Sequence, residues 1–305
     1  MSVDLDEIGC YTAIHGLPAL PEQASEAVYR KALPRLVELF DAQDVPATFF
    51  AVGRDLAHPH VQTALRELFA QGHEIANHSQ DHHYDLTRRT PAEMRAQVAG
   101  AIDAITRTTG KRPVGFRAPG YTITDALFDV LRELGVGYDS SVFPCPSYYS
   151  LKAAAISGYR LRGRPTHSIV DHPRVLTAPA EPYHAGQPYS RRTDSRSALL
   201  ELPIGVTRDV TGRLPFIGTS LVMAGRHGAR WLCKLIAGRS LVNLELHGID
   251  AADAELDQLT ALRPSQPDLR KSASEKLAVL GDTLETLREL GYQFVTLEQA
   301  AQIYA

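Results

Sequence analysis

Short β-type runs alternate with segments of helical period from Val3 almost to the last residues, an order that implies a parallel sheet wrapped by helices. Parallel neighbours cannot be joined by tight turns, so each strand needs a crossover, and the helical segments supply one. Val3 to Leu5 reads as the first strand, Glu22 to Ala42 as a helix, and Ala47 to Val52 as a nearly all-apolar strand buried on both faces. The unit then repeats: a helix at Val61 to Gln71, a strand at Glu74 to Asn77, a helix at Pro91 to Thr108 and a strand at Val114 to Arg117. A helix at Asp125 to Leu134 and a strand at Val136 to Asp139 follow. After an interruption the order resumes with a strand at Leu199 to Ile204, a helix at Leu221 to Ile236 and a strand at Leu241 to His247. A helix at Leu269 to Leu290, a strand at Tyr292 to Leu297 and a short helix at Glu298 to Ile303 complete the pattern.

About seven or eight strands alternating with helices favour an irregular or incomplete (β/α) barrel. An open doubly wound sheet is less favoured, because no glycine-rich phosphate loop follows the first strand. The 305 residues suit one domain, 1–305. Between about 144 and 197 the periodicity fails amid Pro, Gly, His, Tyr and Arg, which predicts an elaborated loop region near a substrate.

Composition narrows the partners. The 32 Lys and Arg against 35 Asp and Glu form no basic stripe, so nucleic acid is not implied. Cys10, Cys145 and Cys233 have no CxxC pairing and read as reduced core residues. The acidic start MSVDLDEIG lacks the pattern of a secretory signal, giving a cytoplasmic expectation. Arg226, His227, Arg230 and Lys234 interrupt the apolar stretch Leu214 to Ala237, so no transmembrane segment is expected there. An amphipathic helix packed on the core is the favoured reading of that stretch, with Trp231 in the core, although peripheral membrane contact stays open.

In a barrel the catalytic groups collect where strands end, and here those positions carry Asp4, Asp6, His78, Arg117, Asp139 and His247. His78-Ser79-Gln80-Asp81-His82 places two imidazoles four residues apart after a strand, on one face if the segment turns helically. Two imidazoles and a carboxylate make an open zinc set, with Asp6 available as the carboxylate. His83 is the less favourably spaced competitor of His82. Asp4 and Asp6 share a strand face, so one can bind metal while the other takes a proton from the attacking water.

Together these segments resemble the polysaccharide deacetylases of the NodB-homology family, carbohydrate esterase family 4. The likeness rests on Ser2-Val3-Asp4-Leu5-Asp6-Glu7, on His78 to His82, on Arg117-Ala118-Pro119-Gly120-Tyr121 and on Leu244-Glu245-Leu246-His247. It implies an irregular (β/α)7-8 barrel and a metal-dependent N-deacylase acting on an N-acetylated amino sugar in a glycan or glycan precursor. It further implies Asp4 as base, Asp6, His78 and His82 as ligands of Zn2+ (or Co2+, Ni2+ or Mn2+), Arg117 as the residue orienting Asp4, and His247 as the acid. Tyr121, through its backbone N–H, is expected at the oxyanion, with Pro119 and Asp139 beside the substrate.

The fourth family motif departs from its pattern, because Asp139-Ser140-Ser141-Val142-Phe143 has Val142 where an acid is expected. Asp250 and Glu201 are the candidates to serve His247 instead. Two other functions fit the same scaffold: hydrolysis of a cyclic amide or ureide, as in allantoinase-like enzymes, and a non-catalytic carbohydrate-binding homologue. Retention of both Asp4 and His247 disfavours the second.

Overall fold

The computed structural model describes residues 1–161, 163, 166–170 and 172–305, so four positions of the 144–197 region lie outside the described residues. Among the described residues, eight strands form one sheet: β1 (Ser2–Asp4), β2 (Thr48–Ala51), β3 (Glu74–Asn77), β4 (Gly115–Phe116), β5 (Tyr138–Asp139), β6 (Tyr183–His184), β7 (Leu200–Glu201) and β8 (Glu245–His247). Their order is β6-β7-β5-β4-β3-β2-β1-β8. Every pairing is parallel except β6 against β7. The curled sheet with its outer helices is the barrel-type fold that the alternation predicts.

The helices are α1 (Ile8–His15), α2 (Glu22–Ser25), α3 (Leu33–Ala42), α4 (Pro59–Ala70), α5 (Pro91–Thr109), α6 (Asp125–Glu133), α7 (Pro146–Leu161), α8 (Gly218–Ile236), α9 (Ala273–Glu289) and α10 (Leu297–Tyr304). Among the described residues none is long and apolar enough to cross a membrane. Their ends follow local chemistry. Thr90 and Glu93 cap each other reciprocally at the start of α5, Pro91 opens the helix, and Gly110 closes it at φ 76°. Met94, Val98, Ile102 and Ile105 then recur at helical spacing on the buried face.

Beyond β7 the chain stitches the barrel closed. The N–H groups of Leu202 and Ile204 reach Asp139 O and Val142 O, and that of Gly205 reaches Asn243 O at 2.8 Å. A Cβ on Gly205 would stand 2.8 Å from that same oxygen, so the close approach requires glycine.

Several elements differ from expectation for identifiable reasons. The 144–197 region contains α7, a helix that buries only Tyr149 and Ile156 and so carries little apolar periodicity. The expected helix over Glu22 to Ala42 is broken into α2, a π-helical turn at Val28–Ala32, and α3. Its irregular entry is held by Glu7, whose carboxylate accepts the N–H groups of Val28 (2.8 Å) and Tyr29 (3.2 Å). Tyr292 to Thr296 joins no ladder; it leads into α10, whose first N–H groups dock on Thr48 Oγ1 and Glu74 Oε2 beneath the barrel. Trp231 is 55% exposed on the outer face of α8, not in the core, while Leu221, Val222, Leu232 and Ile236 bury the inner face. The three cysteines are free and buried.

Candidate active site

The ligand loop after β3 is not a helical turn. Ser79 and His82 both adopt left-handed φ angles, 63° and 53°, a conformation that costs a non-glycine residue of order 1 kcal/mol or more and needs support. That support is dense. Asn77 Oδ1 accepts Ser79 N, Ser79 Oγ accepts His82 N, and Gln97 takes Gln80 N and Asp81 N through its carbonyl and side-chain oxygens. The N–H groups of Gly53 and Arg54 meet the carbonyls of Ser79 and Gln80 from the other side. The two imidazoles therefore converge because a hydrogen-bonded loop aims them, rather than through an i, i+4 helical face.

Asp6, two residues past β1, completes the cluster. Its Oδ1 lies 3.1 Å from His78 Nε2 and 3.0 Å from His82 Nε2, and all three residues are buried. His78 Nδ1 is 2.8 Å from the carbonyl of Arg117, and a carbonyl only accepts, so Nδ1 carries the hydrogen. Neutral His78 then turns a lone pair on Nε2 toward a carboxylate oxygen, two acceptors facing across 3.1 Å. Asp6 Oδ1 and His82 Nε2 are buried without any hydrogen-bond partner. This arrangement is repulsive unless a cation or a proton lies between the atoms, and the two-nitrogen, one-oxygen set fits a divalent cation. Burial pulls the two histidines down, but Asp4 and Asp6 outweigh it at His78, whose pKa is raised, whereas that of His82 is lowered. His83 stands outside this cluster, 3.8 Å from Asp81.

Beside the cluster, Asp4 Oδ1 accepts Arg117 Nη1 at 2.6 Å, while Asp4 Oδ2 lies 3.8 Å from His78 Nε2. Arg117 is wholly buried and immobilised: Nε donates to Ser140 O, Nη2 to Ser2 Oγ and Ser140 Oγ, and the guanidinium lies 4.2 Å over the Phe50 ring. Burial opposes its charge, yet Asp4 and Glu245 hold its pKa up.

His247 reaches the cluster from the opposite neighbour of β1, since the parallel register pairs Asp4 with His247. Its Nε2 is 3.9 Å from Asp6 Oδ2 and 3.5 Å from the Tyr121 hydroxyl. Its Nδ1 lies 2.8 Å from Glu245 Oε1, and although burial pulls the imidazole down, Glu245 raises its pKa well above the usual value. Glu245 thus stands where the acid missing at Val142 was sought. Asp250 instead accepts the backbone N–H of His247 at 2.9 Å, and Glu201 is buried against Asp139 and Val142 N. The signal was present in the sequence: Glu245 and His247 are two apart on a strand and share a face.

The three residues expected at the substrate all have partners within the protein. The Tyr121 N–H donates to Ala118 O at 3.1 Å, and its hydroxyl lies 3.5 Å from His247 Nε2. Asp139 is buried on Ser141, with its Oδ1 taking Ser141 Oγ and its Oδ2 taking Ser141 N, so its carboxylate supports the wall. Pro119 is buried within the same turn, where Gly120 adopts φ 62°. Sequence reasoning also missed the aromatic surround. Tyr84 stands edge-on to His82 at 4.8 Å, Tyr11 to His247 at 6.4 Å, and Tyr148 of α7 contacts Tyr121 and Phe143. A cleft of 580 Å3 opens beside His82, lined by Arg54, Asp81, Tyr84, Arg89 and His167 among others.

The polysaccharide deacetylase family model matches residues 25–138. That stretch belongs to the polysaccharide deacetylase family. It carries His78, His82 and Arg117, whereas Asp4, Asp6, Glu245 and His247 lie outside it and are joined to it by the fold. Peptidoglycan deacetylase of Helicobacter pylori is 25% identical over 142 residues, 46% of this chain and 47% of the relative. Chitooligosaccharide deacetylase of a Bradyrhizobium species is 39% identical over 72 residues, 24% of this chain and 32% of the relative. The chain thus spans about half or less of the length of these polysaccharide deacetylase relatives. A crystal structure of a Mycobacterium smegmatis protein assigned as a polysaccharide deacetylase has the same fold, with a TM-score of 0.60 at 20% identity, covering 100% of this chain and 88% of that one.

Proposed function

We propose that this chain is a metal-dependent N-deacylase that hydrolyses the amide of an N-acetylated amino sugar in a glycan or glycan precursor. The observation that carries the reading is the placement of two independently held proton carriers on either side of the Asp6, His78 and His82 cluster: Asp4 held by Arg117, and His247 held by Glu245. The deacetylase names of the relatives supply the reaction class.

Asp6, His78 and His82 would hold the metal, for which zinc is the first choice. When bound, a divalent cation there supplies Lewis acidity toward the amide carbonyl and the attacking water. Asp4, with Oδ1 taken by Arg117, presents Oδ2 to receive the proton that water gives up. Arg117 keeps that carboxylate oriented. His247 delivers a proton from Nε2 to the amine nitrogen as the carbon-nitrogen bond breaks, so one water is consumed and an acid and an amine leave. Glu245, with Oε1 2.8 Å from Nδ1, favours the protonated imidazole needed for that step. The cleft beside His82 offers the Tyr84 ring, on which a sugar face can stack, and Arg54, Asp81, Asp85 and Arg89 as partners for its hydroxyls. We read residues 1–305 as one such domain, with 144–197 as the elaboration that shapes the cleft.

The test is elemental analysis of the purified protein followed by acid release from a panel of N-acetyl and N-formyl sugars and oligosaccharides. Stoichiometric metal with acetate or formate release is expected. A metal-loaded protein that releases acid from none of them would sink the proposal.

A further inference from the structure

A second set of ligand-type side chains meets at the rim of the barrel. Glu26 follows α2, and His58 and His60 flank Pro59 at the start of α4. His58 Nδ1 and His60 Nε2 each lie 4.0 Å from Glu26 Oε1, and one ligand atom from each of the three residues lies within 4.8 Å of the others. The two rings are 5.7 Å apart between centroids. In a tetrahedral site with bonds of about 2.0–2.2 Å, ligand atoms stand roughly 3.3–3.5 Å apart. Closure therefore asks each atom to move by less than about 1 Å. His58, 58% exposed, has the freedom to do so.

Arg30 shapes this cluster and opposes it. Its Nε donates to Glu26 Oε2, leaving Oε1 for the histidines, and its Nη2 lies 3.2 Å from His60 Nδ1, turning Nε2 inward. Burial and the Arg30 charge lower the His60 pKa, which favours the neutral ring that a metal needs. Loading Nε2 would move the ring hydrogen to Nδ1 and displace Nη2, and the Arg30 side chain, 47% exposed, has room to turn away.

We propose that Glu26, His58 and His60 form a second divalent-metal site of zinc type, weaker than and separate from the Asp6 cluster. An ion there would brace the shoulder of the ligand loop. His58 ends the 3-10 turn Gly53–Ala57, whose Gly53 and Arg54 N–H groups meet the Ser79 and Gln80 carbonyls. Glu26 lies two residues before the Val28 and Tyr29 N–H groups that Glu7 gathers.

The experiment titrates metal-stripped, full-length protein with Zn2+ or Co2+ alone, following heat and, for cobalt, the visible spectrum. Two equivalents are expected, one tight and one weak. The His58→Ala/His60→Ala double variant, altered only at the surface, should lose the weak equivalent and keep the tight one, and Asp6→Ala should do the reverse. Arg30→Gln should tighten the weak equivalent by about three- to tenfold, because a like charge roughly 5–6 Å from the ion is removed. A single equivalent in the wild type, or a weak equivalent that survives in the double variant, overturns the proposal. Neither outcome touches the deacylase reading, which concerns the tight equivalent.

Discussion

Replacing Glu245 by Gln isolates the role of the carboxylate that faces His247. The change keeps the side-chain volume and an oxygen able to accept from Nδ1–H, but removes the negative charge 2.8 Å away. A hydrogen bond to a charged partner contributes about 1.5–3 kcal/mol, roughly 1 kcal/mol or more above its neutral counterpart. Because the amide oxygen can still accept, about 1–1.5 kcal/mol is lost from the protonated imidazole that donates to the leaving amine, and kcat falls by about 5- to 13-fold. The direction of the pH effect is also fixed. Glu245 raises the imidazole pKa, so its removal lowers it, and the high-pH limb of kcat, where the acid loses its proton, moves toward lower pH. The assay is acetate release across pH 5.5 to 9.5 with metal content and circular dichroism checked at each end. A variant whose kcat stays within about twofold and whose high-pH limb does not move would refute the assignment of Glu245 as the positioning residue of His247.

Asp6→Ala should abolish tight metal binding, whereas Asp4→Asn should retain the metal and lose about 10²–10⁴ in kcat, a split read by elemental analysis beside initial rates. Gly205→Ala should destabilise the fold by about 1–3 kcal/mol in urea unfolding, because its Cβ would meet Asn243 O at 2.8 Å where backbone faces backbone. Burial and Asp268 push the Asp250 carboxyl up to about 7, so between about pH 4 and 7 the unfolded chain releases this proton first and stability falls as pH rises. Asp250→Asn should flatten that slope in urea midpoints compared at pH 5 and pH 8, and an unchanged slope would dismiss the carboxyl as its source.

The sequence reported most faithfully where one residue type admits one physical role. The boundaries of β3 and the helix from Pro91 followed from apolar period and capping chemistry, and the strand-end rule placed Asp4, Asp6, His78, Arg117 and His247 in one cluster. It failed where tertiary bonds replace local pattern. The convergence of His78 and His82 depends on Gln97 and Gly53, far along the chain, and no spacing rule contains them. Helix α7 escaped notice because it rests on the barrel mouth through a few polar ties, Lys152 Nζ to Gly120 O and Tyr159 to His15, instead of an apolar stripe. Glu245 was readable from strand period alone, but the family pattern drew attention to the region around Val142.

The pairing of Asp4 with His247 across β1 and β8 also divides the cluster between the two ends of the chain. The residues that would grip the metal are contained in the first 82 positions, together with β1, β2 and β3, although Gln97 and the Arg117 carbonyl, which aim the two histidines, come later. The proton donor and its glutamate arrive only when β8 docks on the far edge of β1. A chain that stops before residue 245 has Asp6, His78 and His82 but lacks both Glu245 and His247, so the two halves of the cluster meet only through the sheet's last parallel strand.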